Sequence, residues 1–439
     1  MSVSFSAAAR CPSANTPSPA PLSHTQQRFL LDEGLMPGQD DNQLVLPYLL
    51  TGPLDPTALA LAFDDMVRRH GILRTVYTWD GDLGPGQRVL PFDPERIPLV
   101  TVPVTDTARP VGQIAAELCA DWWDMPFDLE CHPPLRARLA HLDAERWLLC
   151  LSVHHIAFDG QSELILLDEL GKAYEARCRG DVPALTSLPD YLAYADWQYQ
   201  HMASWAEKDV PFWRELLVGE RPRLFPVPDA DQGRRGEHEV VLDGQQVESV
   251  CVGLQTVRAI PLSALLYGTA RALGEVFGAN GTNIGTISSG RFEPEYASTL
   301  GSFVNPMVVP IDEALTGEPA DRLAAVNRTV LRGLRRARTP FNEVARSLKL
   351  QRSDLFEVMA TLQAPLPAGT FGDTEVVFQP VRVRAPRAGY GLVVELEPSR
   401  DGRWTIAARW REDLLSETAG HDVLSALTGT LLALRTGPS

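Results

Sequence analysis

Residues 153–162 read VHHIAFDGQS, and they close an almost continuously apolar run, Trp147–Val153. A run of that kind forms a strand buried on both faces. The segment after it, SELILLDELGKAYEARCRG, repeats apolar residues at helical spacing, with Leu164, Leu167, Leu170 and Tyr174 facing inward. The chain therefore passes from a buried strand to a helix through His154, His155, Asp159 and Gly160. Such a turn displays side chains at the end of a sheet while the scaffold holds them still. An imidazole of near-neutral pKa takes or holds the proton of an attacking amine or alcohol. A nearby carboxylate orders the loop by pairing with an arginine, and glycine lets a substrate approach the backbone.

The same alternation extends in both directions. PLSHTQQRFLLDEG predicts a short helix capped by Ser23, and LVLPYLLTGPL a strand. LDPTALALAFDDMVRRHG predicts a helix with Asp55 as N-cap, Pro56 in its first turn and Gly71 as its stop. ILRTVYTWDG reads as a strand, and RPVGQIAAELCADWWDMPFD as helical toward its end. LRARLAHLDAERWLLCLSVHH reads as two strands joined by a polar turn at Asp143-Ala144-Glu145. The polar, Pro-containing stretch 180–190 marks a link between lobes. Beyond it, PLSALLYGTARALGEVFG predicts a helix capped by Ser263 and stopped by Gly278. TNIGTISSG, SFVNPMVVPID and SDLFEVMATLQ predict strands. The class is α/β or α+β, divided into a flexible tail (1–20), an N-terminal lobe (21–180) and a C-terminal lobe (181–439).

Composition bounds the function. With 439 residues and a net charge of −16, the chain builds a full core and presents no broad nucleic-acid surface, although it can hold a local basic patch for a phosphate. Its six cysteines are scattered, which fits neither a zinc site nor a secreted disulfide framework. No run approaches a membrane span, and the Ser-, Ala- and Pro-rich start is no signal peptide, so the expected location is the cytoplasm. The arginine-dense stretch RGLRRAR (332–338) reads either as a docking patch for a phosphate or acidic carrier protein, or as the solvated face of a helix.

HHIAFDG resembles the HHxxxDG motif of the condensation domains of nonribosomal peptide synthetases, a superfamily related to chloramphenicol acetyltransferase. Further stretches resemble that family's other motifs, in the family's order: SHTQQRFL (23–30), RHGILRTVY (69–77), DYLAYADWQ (190–198), ISSGR (287–291) with LGSFVNP (300–306), ARTPFNEV (337–344) and SDLFEVMATLQ (353–363). They cover roughly residues 21 to 435. The resemblance implies two chloramphenicol-acetyltransferase-like lobes in a V-shaped pseudo-dimer, with the active site in a tunnel between them.

It also implies roles. His155 matches the catalytic position, which deprotonates or positions the acceptor. His154 and Asp159 match positions that shape the loop, Asp159 pairing with Arg291. Gly160 matches the position whose backbone lies along the thioester, and Arg74 an internal structural arginine. Gln161 and Ser162 fall on the substrate tunnel, and Asn305 steadies the loop that floors it. The reaction implied is transfer of an acyl or peptidyl group, from the phosphopantetheine thioester of a carrier protein to an amine or hydroxyl acceptor, free or carrier-bound. The enzyme itself binds no cofactor or metal. The expected partners are the carrier protein and the acceptor, with no nucleic acid and no membrane; the start at Met and the lack of an adenylation or carrier segment suggest a free-standing enzyme, expected to be a monomer.

Departures from the pattern suggest an unusual substrate pair. Gln161 stands where the family often has Trp, and Gly71 where Glu is usual. Gly391, in GYGLV (389–393), replaces the usual Asp, and VNP replaces the common VNT. Other readings on the same scaffold are a coenzyme A- or polyketide carrier-dependent acyltransferase, an epimerisation domain and a non-catalytic recruitment protein. GSFVNP is unlike the epimerisation motif. The retained second His and Asp-Gly weigh against recruitment alone. A cyclisation domain would carry an Asp-x-x-x-x-Asp pattern, which is absent here.

Overall fold

A computed structural model of the chain describes residues 19–35, 42–81, 84–217, 219, 223–226, 235–312, 318–350, 355–365, 368–383 and 390–434. Most of the expected tail (1–18), with Ser353, Asp354 and Gly389 of the motif stretches, lies outside them. The first elements are β1 (Ala20–Pro21), α1 (His24–Leu35), β2 (Gln43–Thr51), α2 (Pro56–Arg69), β3 (Thr75–Gly81), β4 (Gly84–Val89), β5 (Leu99–Val102), α3 (Val111–Trp123), β6 (Leu135–His141), β7 (Arg146–His154) and α4 (Gly160–Cys178). After them come α5 (Tyr191–Leu216), β8 (Arg235–Leu242), α6 (Gly244–Val257), α7 (Pro261–Phe277), β9 (Thr282–Ser288), β10 (Asn305–Ile311), α8 (Pro319–Leu334) and α9 (Phe341–Leu348). The last are β11 (Val358–Leu362), β12 (Gly369–Thr370), β13 (Val377–Pro380), β14 (Leu392–Pro398), β15 (Trp404–Arg411) and α10 (Glu417–Ala433).

The fold is mixed α/β with open sheets, and its contacts group into two units. One holds residues 1–201, 291–303 and 367–385; the other holds 202–290, 304–366 and 386–439. The sequence suggests one cut at 180/181. The contacts instead place 181–201 with the first unit and return two later segments to it.

In the first unit the main sheet has the order β12-β13-β2-β7-β6-β5, and β7 pairs antiparallel with β2 and β6. Its alternating residues serve two cores. Leu149, Leu151 and Val153 join the cluster that contains the apolar faces of α2 and α4. Leu148 and Cys150 pack with Ile114, Cys119 and Trp122 of α3. Burial on both faces is why this strand reads as a continuous apolar run. Leu164 is only half-buried, and Leu166 joins Leu167, Leu170 and Tyr174 inside.

In the second unit the sheet runs β10-β9-β11-β14-β15-β8, with β11 parallel to β9 and β14. Here Gly391 has a packing reason. A Cβ at that position would lie 2.6 Å from Cδ2 of Phe225, so the aromatic ring occupies the space of the Asp found in the family pattern.

The caps differ in part from expectation. Ser23 and Gln26 cap α1 reciprocally, Gln26 N donating to Ser23 Oγ (3.1 Å) and Ser23 N to Gln26 Oε1 (2.9 Å). Asp55 caps α2 through Thr57 N and Ala58 N, but the helix ends on extended His70 rather than on Gly71, which opens a buried 3-10 turn. Ser263 is not the cap of α7. Ile260 precedes Pro261 there, and the Ser263 hydroxyl bonds Asn327 Oδ1 at 2.9 Å. Gly278 does end α7, in the left-handed conformation at φ 67°. Among the described residues Cys131 is disulfide-bonded, while Cys119, Cys150, Cys178 and Cys251 are free thiols.

Candidate active site

The turn between β7 and α4 lies wholly in the first unit, as does Arg291. β7 ends at His154, a 3-10 turn spans His155–Ala157, and Asp159 is the N-cap of α4. The two histidines hold opposite tautomers. The Ile156 amide donates to His154 Nδ1 at 3.0 Å, so the proton of His154 sits on Nε2 and is donated to Glu33 Oε1 at 3.1 Å. His155 Nδ1 lies 2.6 Å from the Phe158 carbonyl, which can only accept. The proton of His155 is therefore on Nδ1, and its Nε2 carries the lone pair. Among the described residues nothing bonds that Nε2.

Three groups from α1 complete the setting. The Phe29 ring stacks on His155 with centroids 4.9 Å apart. The Arg28 guanidinium lies over Phe29, 4.2 Å from its centroid. Glu33 orients His154 and also accepts from Asn42 Nδ2 at 3.3 Å, while the Asn42 carbonyl takes the His155 amide at 2.7 Å. Burial against this apolar face, and then the positive charge of Arg28, push the imidazole of His155 down to about 4; Asp159 and the Phe158 carbonyl oppose them. His155 is thus neutral at pH 7, with one basic nitrogen presented.

Asp159 is locked from several sides. Its Oδ1 accepts from Ser162 N (2.8 Å) and from Arg291 Nη2 (2.9 Å), and its Oδ2 from Phe303 N (3.0 Å). Arg291 also donates through Nη1 to Thr299 O (2.7 Å) and stands over the Phe303 ring, 3.9 Å from its centroid. Side-chain exposure is only 6% for Arg291 and 2% for Asp159, so this is a buried, hydrogen-bonded ion pair.

Ser162 is fully buried in the same lock rather than set along an open path. Its hydroxyl lies 2.8 Å from Asp159 Oδ1 and 2.7 Å from Gly301 O, its one proton serving one of the two, and it accepts from Gly301 N and Arg291 Nη2. Gly301 is itself fixed by close approach: a Cβ there would fall 1.9 Å from Cδ2 of Tyr191.

Gly160 is exposed, and a Cβ built on it meets nothing within 4 Å. Neither a left-handed φ nor packing inside the chain demands glycine there. Gln161, beside it, is also exposed. Asn305 belongs to the second unit, where Nδ2 donates to Ala337 O and Thr339 O and Oδ1 accepts from Phe341 N, all at 2.9 Å. It pins the 337–341 turn. Arg74 is internal, donating to Val67 O, Leu90 O and Arg68 O. In the arginine-dense stretch, Arg332, Arg335 and Arg338 are exposed and Arg336 pairs with Asp209 at 3.4 Å. Among the described residues no group of His, Cys, Asp or Glu is arranged to hold a metal ion, and no single helix is long and apolar enough to cross a membrane.

Comparison with known proteins decides the family. A sequence profile described as the condensation domain matches residues 18–439. The chain belongs to the condensation-domain family. Condensation domains are acyl and peptidyl transferases that form amide bonds, and they act on carrier-bound substrates in nonribosomal peptide synthesis. This condensation domain is 32% identical over 363 residues to phosphinothricin tripeptide synthetase PhsB of Streptomyces viridochromogenes, covering 78% of this chain and 30% of that protein. It is 30% identical over 460 residues to the isonitrile lipopeptide synthase of Mycobacterium tuberculosis, covering 97% of this chain and 18% of that one. The chain thus spans less than a third of either relative. In fold it is similar to the X-domain from teicoplanin biosynthesis, with TM-score 0.81, 22% identity and 97% of each chain covered.

Sequence reasoning missed Phe29 and Glu33. Both lie in or just after SHTQQRFL, a stretch that carried family resemblance but no chemical signature of its own.

Proposed function

We propose that this condensation domain transfers an acyl or peptidyl group from a carrier-protein thioester to an amine or hydroxyl acceptor, with His155 as the group that meets the acceptor. The observation that carries the reading is the unengaged Nε2 lone pair, set by the Phe158 carbonyl on the other nitrogen. The pKa defines the role. An α-ammonium titrates at about 7.7–8.0. Moving its proton to an imidazole at about 4 is uphill by roughly 4 units, or about 5 kcal/mol. His155 therefore orients an acceptor that arrives as the neutral amine, and takes its proton only as the new bond makes that nitrogen acidic. The thiolate leaves and recovers the proton.

The open space in front of Gly160 gives the thioester a place beside the N-terminus of α4. Asp159, Ser162 and Arg291 act as positioning residues, since their carboxylate, hydroxyl and guanidinium nitrogens Nη1 and Nη2 are spent on one another and on the backbone of 299–303. Gln161, exposed next to Gly160, is the residue of the motif best placed to tune the acceptor.

The test is intact-protein mass spectrometry of acyl-loaded carrier proteins, with amine and alcohol acceptors offered in competition. Release of the acyl group to one acceptor supports transferase activity and identifies the bond. A carrier that stays loaded with every acceptor, beside a folded wild-type chain, contradicts it for those donors.

A further inference from the structure

The second unit holds a pocket at the end of its sheet where β9 begins and β10 finishes. It is lined by Tyr267 and Arg271 of α7, Gly281 and Thr282 at the start of β9, Asp312 just after β10, and Arg322 in the first turns of α8. None of its lining residues belongs to the unit that carries His155.

Its two arginines are anomalous. The chain carries 56 acidic against 40 basic side chains, and its half-buried guanidiniums generally find carboxylates. Arg69 pairs with Glu169, Arg177 with Asp65 and Arg409 with Glu237. Arg271 and Arg322 are both half-buried, yet among the described residues neither forms an ion pair or a side-chain hydrogen bond. The Nε–H of Arg322 is buried without a partner, as is that of Arg291, but Arg291 has a carboxylate on its other nitrogens and, among the described residues, Arg322 has none. Asp312 shares the lining, so two guanidiniums stand against one carboxylate there. Half-buried guanidiniums without a carboxylate cost free energy, which a bound anion would offset. Two guanidinium forks in a pocket that Tyr267 also lines suit a tetrahedral oxyanion, which accepts several charge-assisted hydrogen bonds at once.

We propose that this pocket binds a phosphate group, held by Arg271 and Arg322 with Tyr267 as a third donor. The site is separate from the acyl-transfer chemistry proposed for His155 and does not depend on it. The full chain is titrated with inorganic phosphate and with phenyl phosphate, against chloride as control, by calorimetry and phosphorus NMR line broadening. Saturable binding is expected, weakened at least tenfold in Arg271→Gln and in Arg322→Gln and a few-fold in Tyr267→Phe, which removes one hydroxyl and leaves the packing intact. Tighter binding of phenyl phosphate identifies a phosphomonoester as the ligand, and tighter binding of inorganic phosphate the free ion; both support the site. No saturable binding by the wild-type chain, or binding unchanged in all three variants, overturns it.

Discussion

Adjacent in sequence, His154 and His155 are chemically opposite, because backbone atoms assign their protons. His154 spends both nitrogens, on the Ile156 amide and on Glu33; His155 spends one, on the Phe158 carbonyl. The fall of His155 to about 4 has a consequence for stability. In the unfolded chain the group titrates near 6.5, so between about 6.5 and 4 the unfolded state binds more protons. The contribution of His155 is complete above about 6.5 and is lost as pH falls toward 4. Urea unfolding at pH 7 and pH 5 should therefore show a smaller loss of stability on acidification for His155→Gln than for the wild type. The Asp159–Arg291 pair belongs to the same scale. Arg291→Ala strands a buried carboxylate and should cost about 3–5 kcal/mol in unfolding experiments. The pair was legible through motif resemblance. The tautomers were not, since a carbonyl and an amide that fix a proton have no letter in the sequence.

At the scale of elements, β7 and α4 announced themselves, one by unbroken apolarity and the other by helical spacing. The long helix α5 did not: its apolar residues are interleaved with aromatic and charged ones, and Pro211 lies inside it. The edge strand β8 (RGEHEVVL) hid for a related reason, since half of its residues are exposed and only one is buried, which gives no apolar run. Gly391 shows the reverse case, a departure from the family pattern that the structure explains. Restoring Asp there forces a side chain into the Phe225 ring, and overpacking of this kind costs about 1–3 kcal/mol. Thermal denaturation should show Gly391→Asp destabilised and largely rescued by Phe225→Ala. Asn305 is tested by hydrogen exchange: Asn305→Ala removes three bonds and should raise exchange at Phe341, whose amide it holds, with little change along β7.

For the whole molecule, the alternation of helices and strands gave the α/β class, but the return of 291–303 and 367–385 to the first unit could not be read from the chain, because no local pattern encodes which unit a later segment joins. That return is what brings Arg291, Gly301 and Phe303 to Asp159. Acceptor chemistry is also a property of the whole enzyme at work. With an amine acceptor the rate of transfer should climb as pH rises through about 8, because His155 cannot strip an ammonium; with an alcohol acceptor that limb should be absent. The central claim, that His155 Nε2 meets the acceptor, is tested most directly by His155→Ala in the carrier-loaded mass-spectrometric assay, with folding checked by thermal denaturation. The account predicts a folded protein whose transfer rate falls by about 10²–10⁴-fold. A folded His155→Ala protein that unloads the carrier at the wild-type rate would contradict it.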